Sequence, residues 1–337
     1  MKKAIFAVIF CLMLVGVNFA EETPAPQAHN INVYTFFFNA VSPNFNFPLI
    51  GFVNFAAGSH SMPQIGFFNY NENDFSSVQI GFVNVTGGNF DGLQTGFVNT
   101  TMGSFNGLQL GFVNTTIHSF SGLQTGFVNT VTGDSMRGFQ LGFVNTALNG
   151  FNGAQIAFVN LASKINGFQL GFINIADSIE NGIPFGFISI VRNGGYRAIE
   201  LSVNEISPLN LTFKIGVNKL YTLFRASWNP FIDELDEAMS FGAGIGSILS
   251  INDNFFFNPE LLSSSILGFN NQFLNFTANF GFRIGSGTSI VAGPSVTWQY
   301  IGRSGELLEP FFSLHKFDLN ERNNLFIGAR LALKFQW

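Results

Sequence analysis

One tetrapeptide, Gly-Phe-Val-Asn, recurs ten times at an almost constant interval, which restricts the chain to architectures built from repeated units. The copies, counting those with a conservative change, begin at Gly51, Gly66, Gly81, Gly96, Gly111, Gly126, Gly142, Ala157, Gly171 and Gly186. Successive starts lie 15, 15, 15, 15, 15, 16, 15, 14 and 15 residues apart. Each unit combines Gly and Asn with β-branched and aromatic residues, which disfavour helix and suit strands and turns. The repeat region is therefore predicted to be entirely β.

Two apolar positions recur in most units. One is the Phe of the tetrapeptide. The other lies six residues before the Gly, at Phe75, Phe90, Phe105, Phe120, Phe151 and Ile165, with Ile179 one place further back. The stretch Leu-Gln-x-Gly-Phe-Val-Asn-Thr is predicted to form one strand of about eight residues, followed by a turn.

Two architectures fit a β unit of this length. In a β-solenoid each unit is one coil, so Phe97, Phe112 and Phe127 stack inside a narrow core while the Asn amides hydrogen-bond along the stack. In a single large up-and-down β-barrel each unit is one strand and one turn, and neighbouring strands run antiparallel. The asymmetric motif favours the solenoid because antiparallel neighbours would not place Phe beside Phe. The alternation of Leu108, Leu110 and Phe112 with smaller residues also fits a membrane-facing strand.

The charged residues divide the chain into segments. Residues 31–190 carry eight charged side chains, whereas residues 191–337 carry 23. We therefore expect a signal peptide at 1–20, an N-terminal lead-in with one possible strand at 21–48, the repeat region at 49–192 and a separate region at 193–337. Val33 to Asn39 is predicted to add a strand to that last region.

The second half alternates strictly between apolar and polar residues. Leu209, Leu211 and Phe213 share one face of a predicted strand, and Asn210 and Thr212 share the other. The same alternation runs through 276–285 and 329–337, with Gly and polar residues opposite the apolar face. Long strands of this kind are the signature of an outer-membrane β-barrel. We predict an antiparallel barrel of about eight strands between Ala198 and Trp337.

The ten Gly-Phe-Val-Asn copies, over roughly residues 49 to 190, resemble the repeats of bacterial surface-repeat proteins. The last strand ends on Phe335-Gln336-Trp337, which is similar to the assembly signal of bacterial outer-membrane proteins. These resemblances imply a surface or outer-membrane location, with outer-membrane lipid and the barrel-assembly machinery as partners. They carry no established activity.

The N-terminus predicts export. Lys2 and Lys3 precede an apolar run from Ala4 to Val17, and Ala20 precedes a polar segment, as in a cleaved secretory signal. The run is too short for a membrane-spanning helix. Cys11, the one cysteine of the chain, lies within this segment, so no disulfide is expected in the mature protein.

No pattern of residues points to catalysis, a cofactor or a metal. The four histidines are isolated, and the acidic cluster from Asp233 to Glu237 lacks the spacing of a calcium loop. Gly242, Gly244 and Gly246 imitate a nucleotide-binding pattern but lie in an alternating strand. The formal net charge of -5 argues against a nucleic-acid partner.

The expected function is that of a non-enzymatic outer-membrane or cell-surface protein, an adhesin or structural component. The alternative is an outer-membrane channel or transporter.

Overall fold

A computed structural model describes residues 32–43, 45–302 and 307–337 as an almost entirely β protein. The predicted signal peptide lies outside the described residues. The strands are Val33–Tyr34 (β1), Phe38–Val41 (β2), Leu49–Ile50 (β3), Val53–Ala56 (β4), Gln64–Ile65 (β5), Phe68–Asn71 (β6), Phe75–Ile80 (β7), Val83–Thr86 (β8), Phe90–Thr101 (β9), Phe105–Thr116 (β10), Phe120–Thr125 (β11), Val128–Val131 (β12), Met136–Leu141 (β13), Val144–Ala147 (β14), Phe151–Ile156 (β15), Val159–Ile179 (β16), Ile183–Asn193 (β17), Tyr196–Val203 (β18), Leu209–Val217 (β19), Leu220–Trp228 (β20), Met239–Gly246 (β21), Leu249–Ser250 (β22), Phe255–Ile266 (β23), Asn271–Arg283 (β24), Thr288–Ile301 (β25), His315–Asn320 (β26) and Asn323–Gln336 (β27). Within these described ranges one short helix, α1, spans Leu235–Ala238.

The repeats form a β-solenoid, as the sequence predicted. Equivalent residues of successive units pair in parallel, so that Phe105 lies beside Phe120 and Asn114 beside Asn129. In most units the chain turns a corner at Gly-Phe. Where the strand is interrupted at this corner, it ends just before the Gly-Phe pair and a new strand begins just after it, so most coils do not contain one straight strand of eight residues.

The N-terminal segment also belongs to the solenoid. Strand β1 pairs antiparallel with β2, and β2 pairs in parallel with β4 of the next coil. The prediction that Val33 to Asn39 adds a barrel strand is wrong, because Asn39 occupies the Asn position of a first, partial coil and bonds to Asn54.

The interior of the solenoid contains only one of the two predicted apolar positions. The Phe six places before the Gly is buried, and Phe105 is 1% exposed. The Phe of the tetrapeptide was predicted to fill the core and does not, since Phe112 is 45% exposed. The corner at Gly-Phe turns this side chain outward. Buried Gln and Asn side chains line the rest of the interior, as Gln109 and Asn114 illustrate.

The second half closes into the predicted antiparallel barrel of eight strands. Its order is β18-β19-β20-β21-β23-β24-β25-β27, and β27 pairs back to β18. We call the end where β18 begins and β27 finishes the proximal end, and the opposite end the distal end. Side chains alternate between the lumen and the outer wall along every strand.

The wall of the barrel covers the last coil of the solenoid. Val217, on the outer wall at the proximal end, is 3% exposed and joins the apolar cluster of the solenoid interior. The Thr222 hydroxyl donates to the Gly186 carbonyl of the last coil at 2.6 Å. The ring of Phe187 meets the edge of Phe224 with centroids 4.7 Å apart. The open end of the solenoid thus abuts the side of the barrel.

Candidate functional site: a filled barrel lumen and an exposed aromatic ladder

Charged side chains from four strands meet in the middle of the barrel lumen. Lys214 donates to Glu200 at 2.6 Å and to Glu260 at 2.5 Å, and Arg330 bonds to both carboxylates. The Tyr221 hydroxyl donates to Glu260 at 2.6 Å. All five side chains are almost fully buried. Removing one partner of such a buried ion pair leaves an uncompensated charge and costs about 3–5 kcal/mol.

A second group of polar contacts fills the distal half of the lumen. Glu205 belongs to the link between β18 and β19, which folds inward, and its carboxylate accepts bonds from Ser295 and Thr297, both at 2.5 Å. Asn275 donates to the same carboxylate at 3.2 Å. Gly328 leaves the space for the Glu205 side chain, since a Cβ there would lie 2.6 Å from it.

The lumen contains two small cavities, one on each side of the charged cluster. The distal cavity holds about 20 Å³ and is lined by Asn210, Arg225 and Asn275 among others. The proximal cavity holds about 90 Å³ and is lined by Arg283, Ser289 and Lys334 among others. Among the described residues, the charged cluster and the rings of Tyr221 and Phe256 separate these cavities.

The outer wall of the barrel is apolar around its circumference. The large side chains that project from it, each between 37% and 63% exposed, are Ile199, Leu201, Leu209, Leu211, Phe213, Trp228, Phe241, Ile245, Phe255, Leu261, Leu274, Phe276, Phe280, Phe282, Ile290, Val296, Trp298, Leu331, Leu333, Phe335 and Trp337. The polarity of an ordinary soluble barrel is thereby reversed, with charge inside and hydrocarbon outside.

A continuous row of stacked rings runs along the outside of the solenoid. We call it the aromatic ladder, and it comprises Phe37, Phe52, Phe67, Phe82, Phe97, Phe112, Phe127, Phe143, Phe158, Phe172 and Phe187. Successive ring centroids lie 4.8 to 5.4 Å apart with nearly parallel planes. Each of the ten rings from Phe52 onward is between 44% and 48% exposed.

Amides inside the solenoid hydrogen-bond from coil to coil. Asn114 accepts from Asn99 and donates to Asn129, both at 2.8 Å, and it also donates to the Thr125 carbonyl. A parallel row of Gln side chains makes the same kind of contact, as between Gln109 and Gln94 at 2.8 Å. The predicted Asn stack is confirmed, and the Gln row accompanies it.

The residues singled out in the sequence do not come together. His60 is buried beside Phe75, and this burial lowers the pKa of its imidazole. His118 lies in an exposed solenoid turn, His315 lies on β26, and His29 lies outside the described residues. Within the described residues, no group of three or more His, Cys, Asp or Glu side chains is placed to hold a metal ion.

The acidic cluster lies in a link between barrel strands, and the three glycines lie within a barrel strand. Asp233 lies in the exposed distal link that contains α1. Gly242, Gly244 and Gly246 lie on the lumen side of β21, and a Cβ on Gly246 would lie 2.5 Å from the Tyr221 ring. These glycines leave room for the two neighbouring strands, including the Tyr221 ring of β20.

No motif in the sequence predicts the charged cluster in the lumen. Glu200, Lys214, Glu260 and Arg330 are far apart in sequence, and their convergence depends on strand register. The available signal was that each is a charged residue on the polar side of an alternating strand. In a closed barrel of eight strands, such residues have to face one another.

Among the described residues, no helix combines the length and the hydrophobicity that crossing a membrane requires. Comparison with protein-family models, curated proteins and solved structures found no match.

Proposed function

We propose that this chain is a non-enzymatic repeat protein of a bacterial outer membrane. In this proposal the barrel is a closed membrane anchor and the solenoid is the functional region of the chain. The observation that carries the proposal is the reversed polarity of the barrel. An outer wall of hydrocarbon around a charged lumen fits lipid outside the barrel. The predicted secretory signal, the terminal aromatic strand and the resemblance to surface-repeat proteins support the same location.

The filled lumen favours an anchor over the alternative of a channel or transporter. A barrel of eight strands has an interior just wide enough for side chains to fill. Here Lys214 and Arg330 bridge Glu200 and Glu260 across it. Passage of a solute would require separating these buried ion pairs.

A structural role is favoured over adhesion by the lengths of the links. Outer-membrane barrels have short turns on the periplasmic side and longer loops outside. The proximal links at 218–219, 247–254 and 284–287 have two, eight and four residues, and both terminal strands of the barrel meet that end. The distal links at 204–208, 229–238, 267–270 and 302–322 have five, ten, four and 21 residues, so the two longest links are distal. This orientation directs the solenoid towards the periplasm.

The test is reconstitution of the mature chain, purified from outer membranes, into planar lipid bilayers. We expect the protein to fractionate with outer membranes and to produce no steady unit conductance, while a general porin reconstituted in parallel does. Recovery from the soluble periplasm would contradict the membrane location. Steady pores that disappear in Gly242→Trp, whose side chain would enter the lumen, would contradict the closed anchor and support the channel.

A further inference from the structure

The solenoid has an apolar side and a polar side, and all its charges lie on the polar side. The eight charged residues of 31–190 all lie between the sixth residue after the Gly of one unit and the fifth residue before the Gly of the next. They are Glu72, Asp74, Asp91, Asp134, Arg137, Lys164, Asp177 and Glu180. No charge occurs between the Gln and the Thr that flank the Gly-Phe corner.

The apolar side is wider than the ladder itself. In the central coil, Leu108, Leu110 and Val113 project outward beside Phe112. In the other coils the position before the Gly is mostly Ile or Leu, such as Ile80 and Ile156, each 40% exposed. Ten coils stacked at about 4.8 Å make this apolar strip roughly 48 Å long. Contiguous apolar surfaces of that extent mark sites of interaction with another protein or a membrane.

The contact with the barrel orients the apolar side of the solenoid relative to the barrel. Lys219, in the proximal turn, donates to Asn181 on the polar side of the last coil at 3.2 Å. Phe224, five residues further along β20, meets Phe187 at the end of the aromatic ladder. Five residues of strand span about 17 Å. The polar side of the solenoid is thus level with the mouth of the barrel, and the ladder is level with its apolar wall.

The axis of the solenoid is set by the same contact. Because Val217, Thr222 and Phe224 on the outer wall contact the last coil, the solenoid projects sideways from the barrel rather than along the barrel axis. A barrel that crosses a membrane would therefore hold the solenoid along the plane of that membrane.

We infer that the aromatic ladder is a lipid-binding surface that rests on the acyl chains of the leaflet at the proximal end of the barrel. This inference depends on the proposed membrane location. The backbone is compatible with such contact because the coils pair their amides with each other, and Thr222 covers the Gly186 carbonyl at the last corner. The occupant is lipid rather than a second copy of the chain, because the ladder continues directly into the barrel wall at Phe224.

The inference can be tested with fluorescent labels on single cysteines. In a Cys11→Ser background no other cysteine remains, so one label can be placed at Phe112→Cys on the ladder. Asn106→Cys, exposed on the polar side of the same coil, is the matched control. Phe276→Cys, 47% exposed near the middle of β24, reports on the barrel wall. Each full-length variant is reconstituted into vesicles of phosphatidylethanolamine and phosphatidylglycerol.

Two quenchers distinguish the outcomes. We expect a nitroxide on the lipid acyl chain to quench the labels at Phe112→Cys and Phe276→Cys, while aqueous iodide quenches only Asn106→Cys. Iodide quenching at Phe112→Cys, with Phe276→Cys still in lipid, would overturn the inference and leave the proposed function standing. Iodide quenching at Phe276→Cys would overturn both. Protection of Phe112→Cys from both quenchers would show that another protein surface, such as a second copy, covers the ladder.

Discussion

At the scale of single residues, the Gly of each repeat is required by the amides around it. A Cβ on Gly111 would lie 2.5 Å from Asn99 Nδ2, 2.6 Å from the Gly96 carbonyl and 2.9 Å from Asn114 Oδ1. One coil has Ala157 in this place. The bond from Asn145 to Asn160 beside it is 3.2 Å, the longest in the Asn row. The extra methyl group accounts for the longer bond, and it explains why Gly and Asn recur together.

The two Phe positions of one coil should contribute differently to stability. Phe105 is buried between Phe90 and Phe120, so Phe105→Ala opens a cavity and is expected to lower the free energy of unfolding by about 3–5 kcal/mol. Phe112 is half exposed, so Phe112→Ala loses mainly ring stacking and is expected to cost about 1 kcal/mol.

Urea denaturation of both variants in the same detergent micelles measures the difference. The wild type under identical conditions is the reference. Equal losses, or a larger loss for Phe112→Ala, would mean that the assignment of inner and outer positions is wrong.

At the scale of elements, each coil is an interchangeable unit of one sheet. Deleting residues 96–110 removes one coil and places Thr95 directly before Gly111, so the rows of Phe, Gln and Asn continue in register. We expect this protein to fold, and the protein lacking residues 96–125 to fold as well. Deleting the half unit 96–102 is the control, because it shifts every later residue to a different position of the coil.

Circular dichroism and the change in gel mobility on heating give the readout for these deletions. Both whole-unit deletions should retain the β signal and the folded band of the wild type, whereas the half-unit deletion should lose them. Failure of the one-coil deletion together with success of the two-coil deletion would contradict a parallel solenoid, because that is the behaviour of antiparallel strands.

Most of the fold could be predicted from two patterns in the sequence, the repeat period and the alternation of apolar and polar residues. The constant spacing of Gly-Phe-Val-Asn predicted the coils and the Asn row, and the alternation from Leu209 onward predicted the barrel. The direction of Phe112 was not predictable in the same way, because periodicity shows that a residue recurs and not on which side of a corner it lies. The lumen cluster of Lys214 and Glu260 depends on register between distant strands, which no local pattern encodes.

At the scale of the whole molecule, solenoid and barrel share one apolar exterior. The aromatic ladder reaches the barrel wall at Phe224, while the charged residues lie mainly in the lumen, in the links at the ends of the barrel and on the polar side of the coils. The contact through Thr222 and Val217 has no periodic signature, so no pattern in the sequence indicates how the two parts meet. In the proposed account, this contact holds the solenoid flat against the inner leaflet of the outer membrane.

The most direct test of this account is labelling of single cysteines in intact cells with a maleimide that cannot cross the outer membrane. In the Cys11→Ser background, Asp233→Cys lies in an exposed distal link and Asn106→Cys lies on the polar side of the solenoid. We expect labelling of Asp233→Cys in intact cells, and of Asn106→Cys only after the outer membrane is permeabilised. Labelling of Asn106→Cys in intact cells, or protection of Asp233→Cys there, would contradict it.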